Sequence, residues 1–209
     1  PFNPDYSSSG GSNLTLGSPE DRKTRQVGFY LQDQMAWNRF NLVLSGRQDY
    51  LKREYVNASQ SGIRASRSDD AFSGRAAVLY ESAWGISPYA SYSEAFNPGA
   101  FAPNGSAVAP PVESHQYEAG LKYQPRGLDA FFTLAFYDLL QENVQQRGSV
   151  SPPTFIAVGD VQSRGVELSA KVELTERLRV MASYSRSETE YQNDYINTAG
   201  ALVRAGNRP

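Results

Sequence analysis

Cysteine is absent from the 209 residues. Disulfides, thiolate metal sites and cysteine nucleophiles are excluded with it. Histidine occurs once, as His115. A single histidine just before a strand is read as a solvated loop residue, neither ligand nor base. Charge of one sign is not in excess, because 20 Lys and Arg stand against 22 Asp and Glu for a net charge of −2. That balance argues against nucleic acid as a partner, since phosphate binding needs a basic surplus. Long apolar runs are missing too. No stretch approaches the roughly 18 apolar residues of a membrane-spanning helix, and the longest patch, Phe131 to Tyr137, is broken by Thr133. The chain does not begin with Met, its first Met is Met35, and no charged-then-apolar leader precedes it. The expectation is a chain whose export signal was removed, or an internal fragment. No Gly-rich phosphate loop or nucleophile motif appears. The pairs Asp69-Asp70 and Glu188/Glu190 are of the type used in metal or acid–base sites, but are read as solvated loop acids.

What is present is alternation. Val166, Leu168, Ala170, Val172 and Leu174 are apolar, and Glu167, Ser169, Lys171 and Glu173 lie between them. A helix would spread these charges around its circumference, whereas a strand gathers them on one face. After Thr175-Glu176-Arg177 the period resumes with Leu178, Val180, Ala182 and Tyr184 against Arg179, Met181, Ser183 and Ser185, the pattern of a β-hairpin. The same unit recurs upstream. Val27, Phe29 and Leu31 alternate with Gln26, Gly28, Tyr30, Gln32 and Gln34, and Phe40, Leu42 and Leu44 with Asn41, Val43, Ser45, Arg47 and Asp49. Phe72 to Tyr80 and Tyr117 to Tyr123 repeat it. A strand through Tyr89 to Phe96 has no assignable facing, and one over Ala130 to Leu140 has mixed facing that suggests a bulge.

Connections alternate in length. Short turns fall near 37–39, 82–85, 125–128 and 175–177; long polar loops fall near 52–70, 97–114 and 142–157, and the ends 1–23 and 188–209 share their character. An outer-membrane barrel segregates its connections in this way, with short turns inside and long loops outside. The fold class expected is therefore all-β: an antiparallel up-and-down transmembrane β-barrel wall of about eight strands, part of a larger barrel, each strand near the ~9–11 residues that cross a bilayer at a tilt. Mean hydropathy is negative, which a barrel tolerates because only alternate residues meet lipid. A soluble β-sandwich binding module and a passive porin-like barrel are the alternatives.

The same residues resemble a known family. Gly28-Phe-Tyr-Leu-Gln-Asp-Gln34, Gly46-Arg-Gln-Asp-Tyr50, Phe72-Ser-Gly-Arg-Ala-Ala-Val-Leu-Tyr80, Pro88-Tyr-Ala-Ser-Tyr-Ser-Glu-Ala-Phe96, Gln116-Tyr-Glu-Ala-Gly-Leu-Lys-Tyr123, Phe136-Tyr-Asp138, Gln141-Glu-Asn-Val144 and Ser163-Arg-Gly-Val-Glu-Leu168 follow in order. The series, from Gln26 to Tyr184 and weakly at Gly206-Asn-Arg-Pro209, is similar to the barrel of TonB-dependent siderophore receptors, nearest the ferrichrome or hydroxamate branch. That family implies a barrel of about 22 strands closed by a plug. It also implies residence in the bacterial outer membrane, a ferric siderophore as transported ligand and no cofactor. TonB would act through the plug and outer-membrane lipid would surround the wall. Residues 1–209 are then expected to be a partial barrel domain, with the plug and the C-terminal strands outside them. The matches Asn13-Leu-Thr15, Asn57-Ala-Ser59 and Asn104-Gly-Ser106 to a glycosylation pattern are chance in such a protein.

Two residue sets follow. Arg47, Asp49, Arg75, Glu118, Lys122, Glu167 and Lys171 fall on polar faces, so in a barrel they line the lumen, as structural charges paired across strands or against a plug. Tyr55, Phe96, Phe101, Tyr191 and Tyr195 sit in loops, where aromatics either form part of a siderophore pocket or anchor at the membrane interface.

Overall fold

A computed structural model describes residues 20–57, 63–101, 108–147, 155–197 and 199–208. Eight strands follow one another: β1 (Glu20–Trp37), β2 (Phe40–Asn57), β3 (Ile63–Tyr80), β4 (Ile86–Asn97), β5 (Val112–Tyr123), β6 (Ala130–Arg147), β7 (Phe155–Thr175) and β8 (Leu178–Tyr191). They form one sheet in chain order, with every neighbouring pair antiparallel. A two-residue hairpin, β9 (Tyr195–Ile196) and β10 (Leu202–Val203), follows. No helix occurs among the described residues. The sandwich alternative is corrected here: it requires a second sheet packed on the first, and the eight strands instead make a single up-and-down wall.

Register carries one apolar face across the whole sheet. Leu31, Gly46 and Gly74 lie in line, as do Met35, Leu42, Val78, Ala90, Ala119, Phe136 and Val166. The facing of β4 is now fixed. Pro88, Ala90, Tyr92, Glu94 and Phe96 belong to the apolar side, and Ser87, Tyr89, Ser91, Ser93 and Ala95 to the polar side. Near the short turns the apolar face carries an aromatic row, with ring centroids of Trp37 and Phe40 6.5 Å apart, Phe40 and Tyr80 5.0 Å, and Tyr123 and Phe132 5.9 Å. Tyr92 and Tyr117 pack at a tilt further up the strands, their ring centroids 4.9 Å apart. Two aromatic levels with aliphatic residues between are the girdles of a membrane barrel. Asp33, opposite Leu44, is an acid on this face that breaks the alternation.

Strand lengths depart from expectation. They run from 12 residues in β4 to 21 in β7, well beyond a bilayer's needs. Much of the expected loop 52–70 is ladder, with Leu51 opposite Asp69 and Val56 opposite Arg64. β6 likewise reaches Arg147, and β1 begins at Glu20. Above the membrane both faces are wet, so hydropathy stops alternating while backbone pairing continues. There the side chains pair two residues apart on one face, as in Lys52–Glu54 (2.8 Å) and Lys23–Asp21 (3.2 Å). The bulge expected in β6 lies at its outer end, between Gln141 and Val144, with Asn143 at φ 59°. Residues 1–19, 58–62, 102–107 and 148–154, and with them the matches at Asn13 and Asn104, lie outside the described residues.

Little of this sheet is interior. Only Leu51, Tyr55, Ala65, Ala71, Ala130, Ala135 and Tyr191 are buried apolar residues among those described, whereas Phe29, Leu31, Phe72 and Tyr184 are exposed. A wall with large apolar side chains on one outer face is built for a hydrocarbon surrounding and not for water.

Candidate functional site: the polar face and outer mouth

The polar face is organised by small residues that leave room for large polar ones. A side chain at Gly28 would meet the Arg47 guanidinium at 2.3 Å and Asp49 Oδ1 at 2.5 Å. In the space left by its absence Arg47 grips Asp49 with two bonds, of 2.5 and 2.7 Å, and Gln26 donates to the same carboxylate at 2.9 Å. Asp49 is buried, so this bidentate fork supplies the charge and donors that a desolvated carboxylate requires. A second cluster centres on Tyr89, whose ring lies over Gly120. Its hydroxyl donates to Glu118 at 2.7 Å, Gln116 donates to Glu118 at 3.0 Å, and Lys122 Nζ stands 5.0 Å from the ring centroid. Tyr137 covers Gly165 in the same manner.

Of the seven expected lumen residues, Arg47 and Asp49 are thus paired with each other, and Glu118 and Lys122 are gathered by Tyr89, which the alternation left unassigned. Arg75 is exposed between Ser45 and Ser93, Glu167 between Ala135 and Ser185, and Lys171 between Phe131 and Met181. All seven share one face of the sheet.

At the end away from the short turns the chain folds back over this face. Arg53, 1% exposed, donates to the carbonyls of Gly99 and Ala109, the latter at 2.9 Å, and to Asp69 at 2.9 Å. Asp69 also accepts from Arg67 at 2.6 Å. Arg53 and Arg67 are directly opposite in the ladder, so Asp69 neutralises a like-charge pair that would otherwise be repulsive. The reading of Asp69-Asp70 as solvated acids is corrected for Asp69, whose side chain is 7% exposed; Asp70 is exposed.

The aromatics expected in loops separate, and their placement in loops is corrected for four of them: Tyr55, Phe96, Tyr191 and Tyr195 lie in β2, β4, β8 and β9. Tyr55 is fully buried, its ring 6.1 Å from Phe101, and the Arg22 guanidinium sits 5.6 Å and 5.9 Å from the two ring centroids. Phe101 is half-buried and forms a bridge with Val108. Phe96 stands on the apolar side of β4, opposite Glu113. Tyr191 is buried at the end of β8 on the polar side, edge-on to Tyr195 at 4.9 Å. The hydrogen bond to Tyr191 holds the Tyr195 phenol above its ordinary pKa. His115 binds Glu142 at 2.6 Å on the apolar side near the outer end. No group of three or more metal-ligating side chains occurs among the described residues. A concavity of 810 Å³ opens on the apolar face between Leu42, Ala76, Val78, Ala90, Tyr92 and Phe136, where hydrocarbon would fill it.

An up-and-down wall with one lipid-type face and one charged face is shared by several barrel classes; similarity to known proteins separates them. A family model described as "TonB dependent receptor-like, beta-barrel" matches residues 1–208. The chain belongs to the TonB-dependent receptor β-barrel family. This receptor wall is therefore a component of the bacterial outer membrane, and its family is one of transport receptors and not of enzymes. The chain is 38% identical over 194 residues to the ferrioxamine B receptor of Salmonella typhimurium, covering 91% of this chain and 27% of that protein. It is 33% identical over 172 residues to the ferrichrome outer membrane transporter/phage receptor of Escherichia coli K12, covering 82% and 23%. Among solved structures it superposes on the siderophore receptor PiuA of Acinetobacter baumannii with a TM-score of 0.71 at 20% identity, over 90% of this chain and 29% of that one. The receptor wall thus spans about a quarter of the length of these relatives.

In a barrel wall the polar side is the one expected to face the lumen and the apolar side the one expected to face lipid. Arg53 and Tyr89 are residues of the polar face that the alternation did not single out. Arg53 lay in a stretch read as loop, and its partners 46 and 56 residues away leave no local signal.

Proposed function

We propose that this chain forms part of the wall of an outer-membrane receptor that takes up a ferric siderophore with energy delivered through TonB. The observation that carries this is the 38% identity to a ferrioxamine B receptor over 91% of the chain. The lumen face supports it. A charged, hydrogen-bonded inner surface suits a hydrated ferric chelate, and the inward-folded limbs at the outer end narrow the approach to it. The iron arrives chelated, as cargo, so the wall needs no metal ligands or cofactor of its own. Its work is to hold the mouth in shape and to enclose the lumen.

Ligand choice in this reading belongs to the outer connections. Phe101, and at the other edge Tyr191 with Tyr195, lie at the lumen side of the mouth. The long connections should be exchanged, within the full-length receptor, for those of a relative that takes a different siderophore. Uptake of iron-55-labelled ferrioxamine B and ferrichrome, in cells with and without TonB, then reads both halves of the proposal. Preference is expected to follow the connections and uptake to vanish without TonB. Unchanged preference would place the recognition elsewhere, and TonB-independent uptake would make the barrel a passive pore.

A further inference from the structure

The wall is not continuous to its outer rim. β3 has 18 residues, yet its pairing with β4 runs only from Arg75–Ser93 to Leu79–Tyr89. The ladder stops at Gly74, whose N–H donates to the Glu94 side chain at 2.9 Å instead of to a strand. Beyond this seam, the lumen side of β2 and β3 is covered by the two limbs of the β4–β5 connection, Pro98–Phe101 and Val108–Pro111. Three observations make this a built contact. Arg53 reaches both limbs through the Gly99 and Ala109 carbonyls while its charge is matched by Asp69. The limbs pack so closely that a side chain at Gly99 would come within 2.1 Å of the Pro110 carbonyl and 2.4 Å of that of Ala109. Phe101, carried by the first limb, closes over Tyr55 beside Arg22.

We propose that Arg53 is a positioning residue: it pins the β4–β5 connection inward across the seam and so presents Phe101 as a fixed contact for the ligand at the mouth. The ligand half of this rests on the uptake function proposed above; the pinning half does not. The physical reason is the number and direction of donors. A buried guanidinium in one plane satisfies two carbonyls and a carboxylate at once, and its loss leaves Asp69 and two carbonyls short of donors in a dry place. Lysine keeps the charge, but its compact ammonium lacks the planar fork.

The test uses the full-length receptor in membranes, made free of other reactive thiols. Ala65→Cys, placed at the nearly buried position opposite Tyr55 in the ladder, reports the cover by its rate of maleimide labelling. Heat-modifiable mobility reports the folded barrel. Labelling is expected to be slow with Arg53 present, at least about tenfold faster with Arg53→Ala or Gly99→Ala, and intermediate with Arg53→Lys. Barrel folding should be retained in all of these. Uptake of ferric ferrioxamine B should show an apparent KM raised about tenfold with the maximal rate per folded receptor nearly unchanged. Protection of Ala65→Cys that survives both Arg53→Ala and Gly99→Ala would overturn the pinning. Fast labelling with an unaltered KM would overturn the ligand contact while leaving the pinning intact. If the unmodified receptor takes up neither ferrioxamine B nor ferrichrome, the uptake reading fails, and the labelling series still decides the pinning.

Discussion

Arginine at Leu168 or Val180 is expected to cost the full-length receptor about 2–4 kcal/mol of folding stability, and arginine at Ser169 or Met181, one residue away, far less. Leu168 lies in register with Leu134 and Tyr184, and Val180 with Val172, all on the lipid side. A guanidinium there must shed its hydration or distort the bilayer. Ser169 is opposite Thr133 and Ser183, and Met181 opposite Lys171, so an arginine at either stays hydrated in the lumen. The environment reverses within one residue because the side-chain period is two. Folded fractions by gel mobility for the four variants check it. Equal losses on both sides would mean that both faces are buried in protein, and a reversed order would mean that lipid and lumen sides are exchanged.

A second large effect is expected at Gly120, where valine should cost about 1–3 kcal/mol through overpacking, although valine is the better strand former. A Cβ there would stand 2.3 Å from the Leu134 carbonyl and 2.7 Å from the Tyr89 ring. β6 must move off β5, and Tyr89 must shift and strain its bond to Glu118. Ala119→Val, one residue earlier on the lipid side and exposed, is the control and should be tolerated. Urea unfolding of the receptor in lipid compares them. Equal midpoints for the two variants would show that Tyr89 is not held against Gly120. Combining Gly120→Val with Tyr89→Ala should recover only part of the loss, because the Leu134 carbonyl remains in the way.

How far the sequence reveals this wall depends on where hydrocarbon meets it. Where one face is in lipid, the demand for apolar side chains at every second position writes the strand into the sequence, and Val166–Leu174 or Phe72–Tyr80 can be read directly. Above the membrane that demand ends. Lys52 to Asn57 and Arg64 to Asp70 read as loop, yet they continue the ladder of β2 and β3. Tyr89 was ambiguous because both faces of β4 carry a tyrosine; only register against Gly120 places it on the lumen side. The aromatics expected in loops lie mostly in strands, because the ladder continues past the apolar stretch that alternation reveals: Tyr55 in β2, Phe96 in β4, Tyr191 in β8 and Tyr195 in β9. Tyr55 is covered because Phe101 folds onto it, a contact made by Arg53 across distant segments. Alternation alone put the seven charges on one face of the sheet, whereas the Arg47–Asp49 fork also needs the space at Gly28.

The most direct measurement is a scan of single spin-labelled cysteines along Val166–Leu174 in the full-length receptor in bilayers; this stretch, like the rest of the chain, has no cysteine of its own. Collision rates with oxygen, which concentrates in lipid, and with a water-soluble nickel chelate are recorded at each position. A barrel wall in this register gives oxygen maxima at Val166, Leu168, Ala170 and Val172 and low oxygen access at Glu167, Ser169, Lys171 and Glu173. A profile without a period of two, or with its phase shifted by one residue, contradicts the assignment of the apolar face to lipid and of the polar face to the lumen.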